Sequence, residues 1–316
     1  MRLILRLALS ALSAALSLGA AEAFARWRWP VPPPLPGARL ADGLSAECAT
    51  THPTLGWAYR AGRCGRDAHG LQRFPWPAPD GARSLLLIGD SVGEKEWSAH
   101  LADALRAATG VPVEVLNGAV TGYHLCQEAE ALRLRLAELR PDAVVLQSCP
   151  NDLVGSVTTL PAGPHTALVQ TARGWWTVPR ALLRYRLPQV ALVAAGMRAP
   201  TSGGGSIGPA GPRCAQKMAE DLARTGIPGV VLHFPALVAA DDPSPEARQL
   251  LGNEAGVRAV WAETPLPRVD GRPALEAVVA LPELSGGRGD LLHPKPGTGA
   301  LVAAALAGPL AEGLGW

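Results

Sequence analysis

The stretch LLLIGDSVGEKEW, residues 85–97, decides how the rest of the chain is read. With Ser84 its apolar start makes a short continuous run, SLLLI, as expected for a strand buried on both faces. Gly89, Asp90, Ser91, Val92 and Gly93 follow at once. From Glu94 the apolar spacing turns helical, with Trp97, Leu101 and Leu105 four apart and Gly110 as the stop. Ser91 therefore stands where a strand ends and a helix begins. Two readings are open there: a helix cap, the commoner role for such a residue, and a nucleophile held at the end of a buried strand.

The same alternation continues outward. VEVL at 113–116 is a second strand; Ala129, Leu132, Leu136 and Leu139, in a segment starting at Gln127, mark one helix face closed by Arg140 and Pro141; AVVLQ at 143–147 is a third strand. Further on come a helix around Gln216 to Arg224, a buried strand GVVLHF at 229–234, a short helix from Pro245 to Leu251, a strand AVVAL at 277–281 and an Ala-rich helix from about Thr298. Strands and helices alternating at short spacing predict a three-layer, flavodoxin-like α/β fold: a central parallel sheet with helices on both faces. Such sheets place their sites beyond the carboxyl ends of the strands.

Bulk properties exclude several classes. The 316 residues, 48% apolar, can bury a sizeable core. A formal charge of +2 and no basic stripe give no reason to expect nucleic acid. Thirty Pro and 35 Gly argue against a long bundle or coiled coil. At the start, Arg2 and Arg6 precede an apolar run from Leu7 to Ala21, and Ala21, Ala23 and Ala25 follow the A-x-A pattern of a secretory signal. The stiff RWRWPVPPPLP behind it would equally suit a tether, so residues 1–25 read as a signal peptide or an uncleaved membrane anchor through residues 3–25. The run of about 15 residues is short for a span needing about 20. Residues 26–82 read as a Pro-rich linker and irregular lead-in, and residues 83–316 as one domain. Export lets cysteines pair. Cys48 with Cys64 is the obvious bridge and Cys126 with Cys149 a candidate second, leaving Cys214 odd; the alternative is that some of the five are simply small buried apolar residues, and no C-x-x-C spacing points to zinc or redox chemistry.

Three loops follow the first three strands, GDSVGE, NGAVTGY and SCPNDL, and a parallel sheet gathers them at one edge. They offer Ser91, backbone N–H groups beside Gly118 and Gly122, and the amide of Asn151. Far downstream GDLLHP supplies Asp290 and His293 three apart, the spacing of one face of a helical turn. A serine needs a base, an imidazole needs a carboxylate to set its tautomer, and a developing oxyanion needs preorganised donors. Each residue alone reads as a cap or turn; jointly and in this order they read as an acyl-transfer set. A phosphate loop is excluded because Gly89 and Gly93 are one residue too close and Lys95 does not follow a glycine. GDSVG does carry the letters of the G-x-S-x-G elbow, but there the acid stands far from the histidine.

In these blocks the chain resembles the SGNH or GDSL hydrolases, over about Ser84 to Ala304. The resemblance implies that Ser91 is the nucleophile and one oxyanion donor, Gly122 and Asn151 the other donors, His293 the general base and Asp290 its orienter. It implies an exported esterase acting on short-chain acyl or acetyl esters of a small molecule, glycan or lipid, with no metal or organic cofactor. Two positions depart from the pattern: Cys149 stands for the usual glycine of G-x-N-D, and Val92 for a leucine. An O-acyltransferase acting on a cell-envelope polysaccharide, and a catalytically silent glycan-binding member, are the alternatives. His124 reads as a loop or supporting residue. Trp175, Trp176, Arg180, Arg184 and Tyr185, in the unassigned segment 153–212, read either as a lid or as an amphipathic helix.

Overall fold

The computed structural model describes residues 13, 17–24, 26–27, 47–52, 55–153, 159–161, 166–171, 174–179, 210–287 and 290–316. The chain divides into two compact units, Met1–Arg39 with Val157–Thr201, and Leu40–Ser156 with Ser202–Trp316. The second unit begins with an antiparallel hairpin, β1 (Ala49–His52) and β2 (Gly56–Tyr59), beside a Cys48–Cys64 disulfide. β3 (Gln72–Phe74) follows, so the lead-in is not wholly irregular; its strands have only three or four residues, too few to show a period.

β4 (Arg83–Ile88) buries Leu85 to Ile88 completely, as the SLLLI run predicts. α1 (Trp97–Thr109) buries Trp97, Leu101 and Leu105 and ends on Gly110 at φ 73°, a left-handed position that glycine takes without strain. β5 (Val113–Asn117), α2 (Leu125–Glu138) and β6 (Ala143–Ser148) complete the repeat, both strands buried along their whole length.

In the first unit residues 17–24 are helical, and β7 (Thr159–Pro161), β8 (Thr166–Thr171) and β9 (Gly174–Pro179) form an antiparallel meander. Trp175 and Trp176 thus lie on a strand and not on an amphipathic helix; adjacent β-favouring residues in GWWTV suit extended pairing. Arg180, Arg184 and Tyr185 lie outside the described residues. Among the described residues no helix is long and apolar enough to cross a membrane.

The second unit resumes with α3 (Ala210–Thr225), β10 (Gly229–His233), α4 (Pro245–Ala262) and β11 (Arg268–Asp270). Then come α5 (Gly271–Glu276), α6 (Leu281–Leu284), β12 (Ser285–Gly287), β13 (Asp290–Pro294) and α7 (Gly299–Leu314). AVVAL is not a strand: Ala277 to Ala280 form a turn between two short helices, with Val278 exposed. The last strand of the sheet is RVD of β11, where only Val269 is buried, because an edge strand needs no apolar run.

The six-stranded sheet has the order β11-β10-β6-β4-β5-β3, parallel except for β3, which runs antiparallel along β5. Taken from β5, the parallel strands run second, first, third, fourth, fifth, which is flavodoxin-like winding. α1 packs against α7, and α2 against α3. The core includes Leu85, Leu87, Trp97, Leu101, Leu105, Val145, Leu232, Val302, Leu306 and Leu310. The chain reverses direction across the sheet between β4 and β6. That switch point leaves a crevice beyond the strand ends, between the loops after β4 and β6.

Candidate active site

Ser91 sits in the turn after β4, and its loop is fixed by groups from the neighbouring strands. Asp90 N–H donates to Gln147 Oε1 at 3.3 Å, Asp90 Oδ1 accepts from Val92 N–H at 2.9 Å, and Trp97 Nε1 donates to Val92 O at 2.7 Å. Asn117 Nδ2, at the end of β5, donates to Gly93 O at 2.9 Å and to Ser98 Oγ at 2.8 Å. Packing is tight at both flanking glycines. A Cβ on Gly89 would lie 2.3 Å from Gln147 Oε1, and one on Gly93 2.7 Å from Ala119 Cβ. α1 starts only at Trp97, with Glu96 at its cap position. Ser91 is therefore not a helix cap.

Its hydroxyl lies 2.7 Å from His293 Nε2, across 202 residues of sequence, and His293 Nδ1 lies 2.7 Å from Asp290 Oδ1. With the ring proton assigned to Nδ1, facing the carboxylate, Nε2 is the acceptor for the serine proton. Asp290 and His293 do not share a helical turn; they belong to β13, and Asp290 Oδ1 also accepts the His293 backbone N–H at 3.1 Å. That local bond brings together two side chains that a straight strand would point to opposite faces. Burial raises the Asp290 carboxyl, but the hydrogen bonds from His293 and Leu292 and the charge of His293 outweigh it and hold Asp290 below the usual range. The β13 loop is tied back to the serine loop by Gly297 N–H on Glu96 Oε2 at 2.7 Å.

In the loop after β5, Gly118 N–H is bonded to Leu87 O at 2.8 Å and Val120 N–H to Gly89 O at 3.0 Å. Gly122 stands two residues on, at φ 79°. Supports for this loop come from a part of the sequence that showed no pattern. Trp57 Nε1 donates to Thr121 O at 3.3 Å, Gln127 Nε2 to Leu55 O at 2.6 Å, and Glu94 Oε2 accepts the Thr121 N–H at 2.9 Å while its Oε1 holds Arg66 Nη2 at 2.5 Å. Arg66, buried, lies over the Tyr59 ring at 3.4 Å. His124 is the cap of α2: its Nδ1 accepts from Cys126 and Gln127 N–H, and Gln127 Oε1 accepts the His124 N–H in return. Burial lowers the His124 pKa to about 4, which keeps the ring neutral and Nδ1 an acceptor.

Beyond β6, Asn151 Nδ2 donates to Asp90 Oδ2 at 2.8 Å, the oxygen that also faces Ser91 Oγ at 3.3 Å. The Cys149 thiol donates to Asn151 Oδ1. Cys149 is a free, buried cysteine, and Cys126 is bridged instead to Cys214, so the expected Cys126–Cys149 bond is overturned. The reason is helical packing: α2, which carries Cys126, lies against α3, which carries Cys214. Asp152 Oδ2 accepts from Ser148 Oγ at 2.8 Å and Cys149 N–H at 2.9 Å. Burial, with Asp90 beside it, pushes the Asp152 carboxyl up to about 8; burial and the nearby Asp152 push Glu128 well above its ordinary range. Asp152 was legible in the sequence only as a block or turn residue and not as a buried acid; Glu128 sits among ordinary charged residues and gave no signal. Donor atoms of Asp90, Cys149 and Asp152 lie within 4.8 Å of one another, close enough to hold a metal ion, though all three are engaged in the hydrogen bonds above.

No protein-family model matches the chain, and no curated protein does. Among solved structures, an acetylxylan esterase from Geobacillus stearothermophilus aligns at 16% identity with a TM-score of 0.40, over 75% of this chain and 96% of its own. A variant of the same esterase aligns at 15% identity and 0.42, over 74% and 96%. A GDSL-like lipase from Bacteroides thetaiotaomicron aligns at 15% identity and 0.40, over 73% and 88%.

Proposed function

We propose that this chain, an α/β protein with a flavodoxin-like parallel sheet, is an ester hydrolase of the SGNH/GDSL kind working through an acyl-Ser91 intermediate. The observation that carries the reading is the continuous contact from Ser91 Oγ through His293 to Asp290, two bonds of 2.7 Å each. As Ser91 Oγ attacks the acyl carbon, His293 Nε2 takes its proton, and Asp290 stabilises the imidazolium that results. The oxyanion is held by the backbone N–H groups of Ser91 and Gly122 and by the Asn151 amide. On collapse His293 returns its proton to the leaving alcohol, and a water activated by the same imidazole then releases the acid.

The substrate class is a carboxylic ester of a small molecule or glycan with a short acyl group. Export is part of the proposal: the Cys48–Cys64 and Cys126–Cys214 bridges suit an oxidising compartment, as does the basic and apolar leader. The test is an ester panel of rising acyl length beginning with p-nitrophenyl acetate, with Ser91→Ala as control. Hydrolysis by the wild type, absent from Ser91→Ala, is expected; equal rates sink the reading. Product analysis with and without a sugar acceptor distinguishes hydrolysis from acyl transfer.

A further inference from the structure

We propose that Cys149 is a positioning residue for the oxyanion site, its thiol holding the Asn151 amide in the plane that presents one Nδ2 hydrogen to the reacting acyl group. This rests on the ester-hydrolase reading of the same site. A primary amide has two N–H donors and one carbonyl oxygen. In Asn151 one N–H is spent on Asp90 Oδ2 at 2.8 Å, and Oδ1 takes the Cys149 S–H. A carboxylate and a thiol thus grip opposite ends of the amide, and the second N–H is left for the oxyanion. Turned over, the amide would set Oδ1 against Asp90 Oδ2, acceptor against acceptor, and would offer nothing to an anion.

Cys149 can serve only while it is a thiol, and its surroundings keep it one. It is buried, unbridged, and faces Asp152 Oδ1 at 3.4 Å; burial first, then Asp152 and Asp90, raise its pKa well above the ordinary thiol range. A glycine at this position would have no donor to offer. The device belongs to this chain's own departure from the G-x-N-D pattern.

The experiment measures kcat and KM on p-nitrophenyl acetate, with a thermal midpoint as the folding check, for five proteins: wild type, Cys149→Ala, Cys149→Ser, Asn151→Ala and the Cys149→Ala/Asn151→Ala double variant. Cys149→Ala is expected to lower kcat by about tenfold with KM little changed, in line with one lost hydrogen bond realised in the transition state. Cys149→Ser, which keeps a donor, restores most of it. In the Asn151→Ala background the Cys149 substitution has no further effect, because it acts only through that amide. A wild-type kcat for Cys149→Ala, or a drop of the same size in the Asn151→Ala background, overturns the proposal while leaving the hydrolase reading standing. No Ser91-dependent hydrolysis in the wild type overturns both. Should the alanine variant not fold, Cys149→Val fills the space without a donor and carries the same comparison.

Discussion

Ser91 owes its place at the crevice to the residues that flank it and to those packed against them. Gly89 and Gly93 flank it because Gln147 and Ala119 come within 3 Å of where their Cβ atoms would be. Gly89→Ala is therefore expected to move the serine loop and to remove most of the proposed esterase activity, together with a measurable loss of thermal stability. An unchanged kcat would show that Gln147 can swing aside. Asn151→Ala removes one of the proposed oxyanion donors and is expected to slow kcat by about 10²–10³-fold, about 3 kcal/mol of barrier, while remaining above Ser91→Ala in a long-duration assay. Legibility at this scale was uneven. GDS, ND and D-x-x-H are chemical letters at fixed spacing and could be read; the holds of Gln147 and Asn117 on the loop, through contacts 57 and 24 residues away, could not.

At the scale of elements, α2 begins with a cap the sequence does not announce. Histidine is an uncommon cap, and its acceptor role requires a neutral ring, which burial enforces. His124→Ala is expected to cost about 1 kcal/mol in a urea titration, and His124→Asn, which keeps an acceptor, to cost less. The pH dependence follows with its sign: a histidine held at about 4 when folded and 6.5 when unfolded stabilises fully above 6.5 and loses that contribution as pH falls toward 4. His124→Asn should therefore flatten the acid limb of a stability profile. The hairpin β1–β2 also belongs to the site at this scale, since Trp57 holds the loop that carries Gly122 and Leu55 O holds Gln127 at the start of α2 behind it. Strands of four residues with no alternation carry no periodic signal, so that buttress emerged only on folding.

At the scale of the whole molecule, two buried acids set a second pH trend. Asp152 is raised from 3.8 to about 8, so its neutral form is favoured by the fold. That contribution is fully present below about 4 and is lost as pH rises toward 8. The difference in denaturant midpoint between wild type and Asp152→Asn, measured at pH 5 and pH 8, isolates this group from the histidines. The wild type should lose stability relative to the variant at the higher pH, and a pH-independent difference would mean that the carboxyl is ionised throughout. Thiol chemistry gives a check on covalent topology. Denatured without reductant, the oxidised protein should show one free thiol, and Cys149 should be the residue labelled.

Sequence by itself determined the α/β class, the strands β4, β5, β6 and β10, and the order of the chemical blocks. Central strands buried on both faces must be continuous apolar runs, and helices that cover them must show a face, so both leave a local record. Tertiary structure alone decided which cysteine meets Cys126, because that depends on α2 lying against α3. It also decided that an edge strand is RVD and not AVVAL, since an edge needs only one buried residue. And it decided that His293, 202 residues from Ser91 in the chain, comes to 2.7 Å from its hydroxyl, a distance set by the docking of the β13 loop on the loop after β4.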